Sequence, residues 1–147
     1  RFQLLDKNSV EGFDVREEAL DWLESALVDL NEAREACKRG SYHLALFLAH
    51  QAVEKALKAY IIGFKRKLPP RSHDLVELLS LAELQLNPQD FELVSELSPY
   101  YVVARYPNAG LRKPWIEIRQ GTAQRLLGVA ERVVNSVKTL FEQAKTS

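Results

Sequence analysis

At 147 residues, 46% apolar and 27% charged, the chain reads as one globular domain with enough material to bury a core. Its 20 basic and 20 acidic residues cancel, so no global field draws it to nucleic acid or to an anionic membrane. Short apolar runs far below the ~20 residues that span a bilayer, no secretory leader and a lone Cys37 lead us to expect a cytoplasmic protein with no membrane role.

Residues 1–13 lack helical periodicity and are expected to form an N-terminal arm that packs weakly or moves, ahead of a single domain over residues 14–147. Asp14 and Glu17 stand at capping-box spacing. From Ala19 through Trp22, Leu23, Ala26, Leu27, Leu30 and Ala33 to Cys37 the apolar residues recur every 3.6 positions, which predicts a first helix that Gly40 ends. Ser41 is the expected N-cap of a second helix, reaching about Ile62 before Gly63. That helix is apolar on most of its circumference. One polar strip of about 140° carries His43, His50, Gln51, Glu54, Lys55 and Lys58. A helix of this kind belongs at the centre of a bundle, where its charges must be paired or used.

Pro69 and Pro70 forbid its continuation. Ser72 is expected to cap a third helix that buries Leu75, Leu78, Leu79 and Ala82. Asn87 and Pro88 form an N-cap and N1-proline start for a fourth, shorter helix through about Leu97. Pro99 interrupts it, although residues 100–104 can resume helical form, and residues 105–114 read as a connecting loop. The last helix is the most regular, with Ala123, Leu126, Leu127, Ala130, Val133, Val134, Val137, Leu140, Phe141 and Ala144 on one face. No segment alternates as a strand does. The prediction is an all-α, up-and-down four-helix bundle with an additional short helix.

If each short connection reverses the chain, the loops at 65–72 and 105–114 lie at one end of that bundle. They hold Lys65, Arg66, Lys67, Arg71, Arg105, Arg112 and Lys113 and no acidic residue. Lys55 and Lys58 point the same way and His73 stands beside them, so a neutral protein is expected to gather a basic pole. Arg105 between Tyr101 and Tyr106 sets a guanidinium next to aromatic faces, a combination suited to phosphate binding with base stacking. Each feature also has a plain structural reading. A basic loop is a solvated surface, Glu54 and Lys58 form an i,i+4 pair worth about 0.2–0.5 kcal/mol, His73 is a helix-start residue, and Tyr100 and Tyr101 pack. His43 and His50 stand about 10 Å apart along their helix, too far to share a metal, and no metal site is expected. Walker, dinucleotide and nucleophile-elbow motifs are absent from the sequence.

Three ordered stretches resemble one family. AHQAVEKALKA over residues 49–59 is similar to the signature helix of HEPN domains (higher eukaryotes and prokaryotes nucleotide-binding). PPRSHDL over 69–75 resembles that family's proline-to-histidine step into the next helix, and YYVVARYPN over 100–108 its arginine–tyrosine–proline segment. The resemblance spans about residues 14–143. It implies a four- or five-helix bundle, often a homodimer, similar to the C-terminal domain of some antibiotic nucleotidyltransferases. It also implies pairing with a minimal nucleotidyltransferase, as a toxin–antitoxin-like pair or a nucleotide-handling complex, with ATP or another nucleotide as ligand. Glu54, Lys58, His73, Arg105 and Tyr106 fall on the family's recurrent polar positions.

One departure bears on activity. Many HEPN members are metal-independent RNases with four to six residues between an arginine and a following histidine, and no histidine follows Arg105. Arg66 and His73 have that spacing, but they lie in the loop before the third helix. Three functions therefore stay open. One is a non-catalytic nucleotide- or nucleotidyltransferase-binding module, with Lys55, Lys58, Arg71 and Arg105 on phosphates and Tyr106 on a base. Another is a divergent RNase using Arg105 and His73 on RNA. The third is a purely structural dimerisation bundle.

Overall fold

The computed structural model describes residues 3–4 and 15–146. Helix α1 (Val15–Lys38) and helix α2 (Tyr42–Lys65) form a hairpin that Gly40 turns with a φ of 79°, a conformation natural to a residue without Cβ. Ser41 stands at the N-cap of α2, but its side chain makes no capping hydrogen bond there. Asp14, the expected cap of α1, and all of the N-terminal arm except residues 3–4 lie outside the described residues. Those two residues, β1 (Gln3–Leu4), pair antiparallel with β2 (Lys67–Leu68), a two-residue ladder that the absence of alternation did not foretell.

Then follow α3 (Leu75–Ala82), α4 (Pro88–Leu97) and the single turns α5 (Tyr100–Val103) and α6 (Pro114–Glu117), before the long α7 (Gln120–Thr146). The fold is the expected all-α bundle. Its long members are α1, α2 and α7, and the shorter α3 and α4 complete it. α2 is the central helix, in contact with α1, α3, α5, α6 and α7. Ala45, Leu46, Ala49, Ala52, Val53, Ala56, Leu57, Ala59 and Ile61 on it are fully buried. So many alanines let its neighbours approach closely while apolar surface leaves water on nearly every side.

Three boundaries move, each for a local reason. α2 runs through Gly63 to Lys65, and Arg66 takes the left-handed C-cap conformation. Gly63 marks a close approach: a Cβ there would stand 2.8 Å from Cζ of Phe141 and 3.2 Å from Cβ of Ala19. Asp74 rather than Ser72 caps α3, accepting from the amides of Val76 and Glu77 at 3.0 and 3.2 Å. Residues 114–117, of which only Pro114 falls in the expected loop, form α6 with Pro114 in its first turn.

Chain direction departs from expectation at one point. His73 meets Glu54 and Glu83 meets Lys65, so α3 runs in the same sense as α2 rather than against it. The extended segment 66–73 makes this possible. Eight residues can span up to ~26 Å, and the return from Lys65 to the level of Glu54 needs only ~16 Å. α4 then runs back, its Ser98 hydroxyl accepting from the amide of Leu75, and lies antiparallel to α7 through Asp90–Arg132 and Glu96–Arg125. Among the described residues no helix is long and apolar enough to cross a membrane.

Candidate functional site

Midway along α2, His50, Glu54 and Lys58 follow one another at four-residue intervals, and all three are buried. Such burial of a carboxylate is costly unless it is compensated. Oε2 of Glu54 accepts from Nζ of Lys58 at 2.9 Å, and Oε1 accepts from Nδ1 of His73 at 2.9 Å. The return of segment 66–73 along α2 is what brings His73 there.

Two further contacts hold that imidazole. Nε2 of His50 donates to the carbonyl of His73 at 2.9 Å, anchoring its backbone. Burial lowers the pKa of His50, against the opposing pull of Glu54, so His50 serves as a neutral donor. The His73 ring stacks on Tyr101, 3.7 Å between centroids and 15° between planes. With Nδ1 donating to a carboxylate, Nε2 carries the lone pair of the neutral ring.

Tyr101 leads to Arg105 one turn later. Nε of Arg105 donates to the Tyr101 carbonyl at 2.9 Å, and its guanidinium carbon lies 4.5 Å from the Tyr101 ring centroid. Phe47 of α2 and Tyr106 complete the surround at 5.0 and 4.9 Å. The guanidinium is thus cradled by three rings on an exposed ledge, and among the described residues Nη1 and Nη2 carry no hydrogen bond. Chemically, the ledge offers an oriented two-donor edge for a phosphate or carboxylate, a half-exposed phenol ring in Tyr106, and an imidazole positioned by a carboxylate.

Of the residues singled out from sequence, Glu54, Lys58, His73, Arg105 and Tyr106 join in one continuous network through Tyr101. Lys55 stands apart, on the α1 side of α2, where it pairs with Asp29 at 2.7 Å and donates to Ser25 at 2.9 Å. Arg71 is exposed on the returning segment.

The expected basic pole does not form. Arg105 lies against Phe47 near the start of α2, whereas Lys65 closes its far end, paired with Glu83. Eighteen residues, ~27 Å of helix, separate those levels. The error lies in the reversal assumed at α2, because the chain climbs back along that helix before α3 begins. Sequence reasoning also missed Phe47, the His50 anchor and the stacking of Tyr101 on His73. The four-residue step from Tyr101 to Arg105 signalled only the contact between those two.

Comparison with known proteins agrees with this architecture. The HEPN domain family matches residues 19–140, and the chain belongs to that family. Among solved structures it is similar to TT1696 from Thermus thermophilus, with 28% identity over 83% of this chain and 97% of that one, at a TM-score of 0.73. The archaeal HEPN homologue ST0689 is 31% identical over 83% of this chain and 96% of its own, with a TM-score of 0.67. A HEPN domain protein of Thermotoga maritima, tm0613, shares the fold at a TM-score of 0.63 and 21% identity, covering 83% of this chain and 98% of that one. No protein of curated function matches the chain.

Proposed function

We propose that this HEPN domain binds a nucleotide such as ATP without transforming it, as the nucleotide-handling member of a pair with a minimal nucleotidyltransferase. The phosphates lie on Arg105 and the base against Tyr106. The observation that carries the reading is the Arg105 guanidinium, its carbon within 5.0 Å of three ring centroids and its Nε engaged by the Tyr101 carbonyl. An arginine held this way has already given up most of its side-chain freedom, so a phosphate gains two donors at little further entropic cost. Lys55 and Lys58, each paired with a carboxylate, take no part in phosphate binding here.

Calorimetric titration with ATP at low and moderate salt tests this. The expected result is binding that weakens as salt rises and falls about tenfold or more in Arg105→Ala, the scale of a lost charge-assisted pair. Equal affinity in the variant and the parent refutes the reading. Light scattering and co-purification with the product of an adjacent nucleotidyltransferase gene test the homodimer and the pairing, which rest on the family resemblance.

A second reading has its own observation, the hydrogen bond from His73 Nδ1 to Glu54, with His73 and Arg105 both packed against the Tyr101 ring. In a divergent, metal-independent RNase, Nε2 of His73 takes the proton of a 2′-hydroxyl and the 2′-oxygen attacks phosphorus. Arg105 holds the growing phosphorane charge while the bond from phosphorus to the 5′-oxygen breaks and that oxygen takes a proton from water. Incubation with tRNA beside a His73→Ala control decides; equal cleavage by both eliminates this alternative.

A further inference from the structure

The α1-facing edge of the polar strip of α2 carries a second feature. Between α1 and α2 lies a groove of about 330 Å³ lined by Asp21, Trp22, Ser25 and Lys55. Trp22 is its aromatic wall. The indole is oriented by its own N–H, which donates to Glu18 at 3.2 Å, and it already attracts one cation, the Lys58 ammonium at 5.7 Å from the ring centroid.

Both lysines near the groove are neutralised, Lys55 by Asp29 and Lys58 by Glu54. The charge presented to solvent is therefore that of α1. Besides Asp29, which is taken up by Lys55, residues 18–33 of that helix carry Glu18, Asp21, Glu24 and Glu32, with no basic residue. Val28, 51% exposed, lies about 20° around the helix from Asp21. An exposed aliphatic side chain thus adjoins a carboxylate at the rim of an indole-walled groove. Phosphate-bearing ligands are repelled from such a face, which separates it from the Arg105 ledge.

We propose that this groove docks a basic, amphipathic segment of a partner protein, with one arginine side chain lying on the Trp22 indole against Asp21. A planar guanidinium satisfies both walls at once, stacking on the ring and meeting the carboxylate with paired donors. An aliphatic residue of the partner covers Val28. Lysine fits less well, since its ammonium has no flat face to stack.

The test uses the full chain and two labelled, capped peptides of alternating leucine with arginine or with glutamate, followed by anisotropy. The arginine peptide is expected to bind with an affinity that falls as salt rises, and the glutamate peptide not to bind. Trp22→Leu is expected to weaken binding about two- to fivefold, the scale of one exposed cation–π contact. Asp21→Asn, an exposed change that leaves the core untouched, should weaken it as well, while Arg105→Ala should not. Absence of binding by the arginine peptide, equal binding of both peptides, or full affinity in Asp21→Asn and Trp22→Leu overturns the proposal. So does self-association of the chain that Asp21→Asn abolishes, which would give the groove to a second copy.

Discussion

The imidazole of His73 and the phenol ring of Tyr101 stack at 3.7 Å, joining the segment that returns along α2 to the short helix α5. Through this contact, and through the His50 ring 5.5 Å from that of Tyr101, the buried Glu54–Lys58 pair is joined to the exposed Arg105. Removing the Tyr101 ring deprives Arg105 of one wall and His73 of its stacking partner together. Tyr101→Ala is expected to weaken nucleotide binding about tenfold by calorimetry, and Tyr101→Phe to retain it, since the stacking and cation–π contacts need the ring rather than the hydroxyl.

The Glu54–Lys58 pair lies almost wholly out of water, with side-chain exposures of 6% and 8%. Breaking such a pair leaves an ammonium without its counter-charge, whereas removing both charges does not. Glu54→Gln is expected to destabilise the fold by about 3 kcal/mol in urea unfolding, and Glu54→Gln with Lys58→Met to recover most of that loss.

Gly63 sits inside α2 where Phe141 and Ala19 press against its backbone. Alanine there gains about 1 kcal/mol of helix propensity but must displace the buried Phe141 ring, a cost of about 1–3 kcal/mol. Gly63→Ala is expected to lower the thermal midpoint. Gly63→Ala combined with Phe141→Leu, which opens the space, should regain part of the difference.

Burial depresses the pKa of His50 in the folded state below its ordinary 6.5. The unfolded chain therefore binds the proton more readily, so stability is full above pH 6.5 and falls as the pH drops below it toward the folded-state value. Urea midpoints measured between pH 7.5 and 5.5, above the carboxylate range, are expected to decline. The decline should flatten in His50→Gln, which cannot titrate.

Local rules made most of this fold legible. The 3.6-residue period of α1 and α7, the Asn87–Pro88 start of α4 and the alanine-rich circumference of α2 each state a helix and the side it buries, because periodicity reports burial directly. They also marked α2 as central and its charges as needing partners. The aromatic flanks of Arg105 were visible for the same reason, since Tyr101 and Tyr106 are its neighbours along a turn of chain.

Which partners those charges found was a tertiary decision. A carboxylate on α2 can be satisfied from any neighbouring element. The choice of His73 followed from the extended return of segment 66–73, a path set by packing and by two prolines rather than by any periodic signal. The same path sent the loop after α2 and the Arg105 loop to different levels, which dissolved the expected basic pole and left one cradled guanidinium in its place. Sequence determines what each helix must bury; only the closed structure determines which side chains from distant segments meet, because chain direction through an extended connection costs little either way.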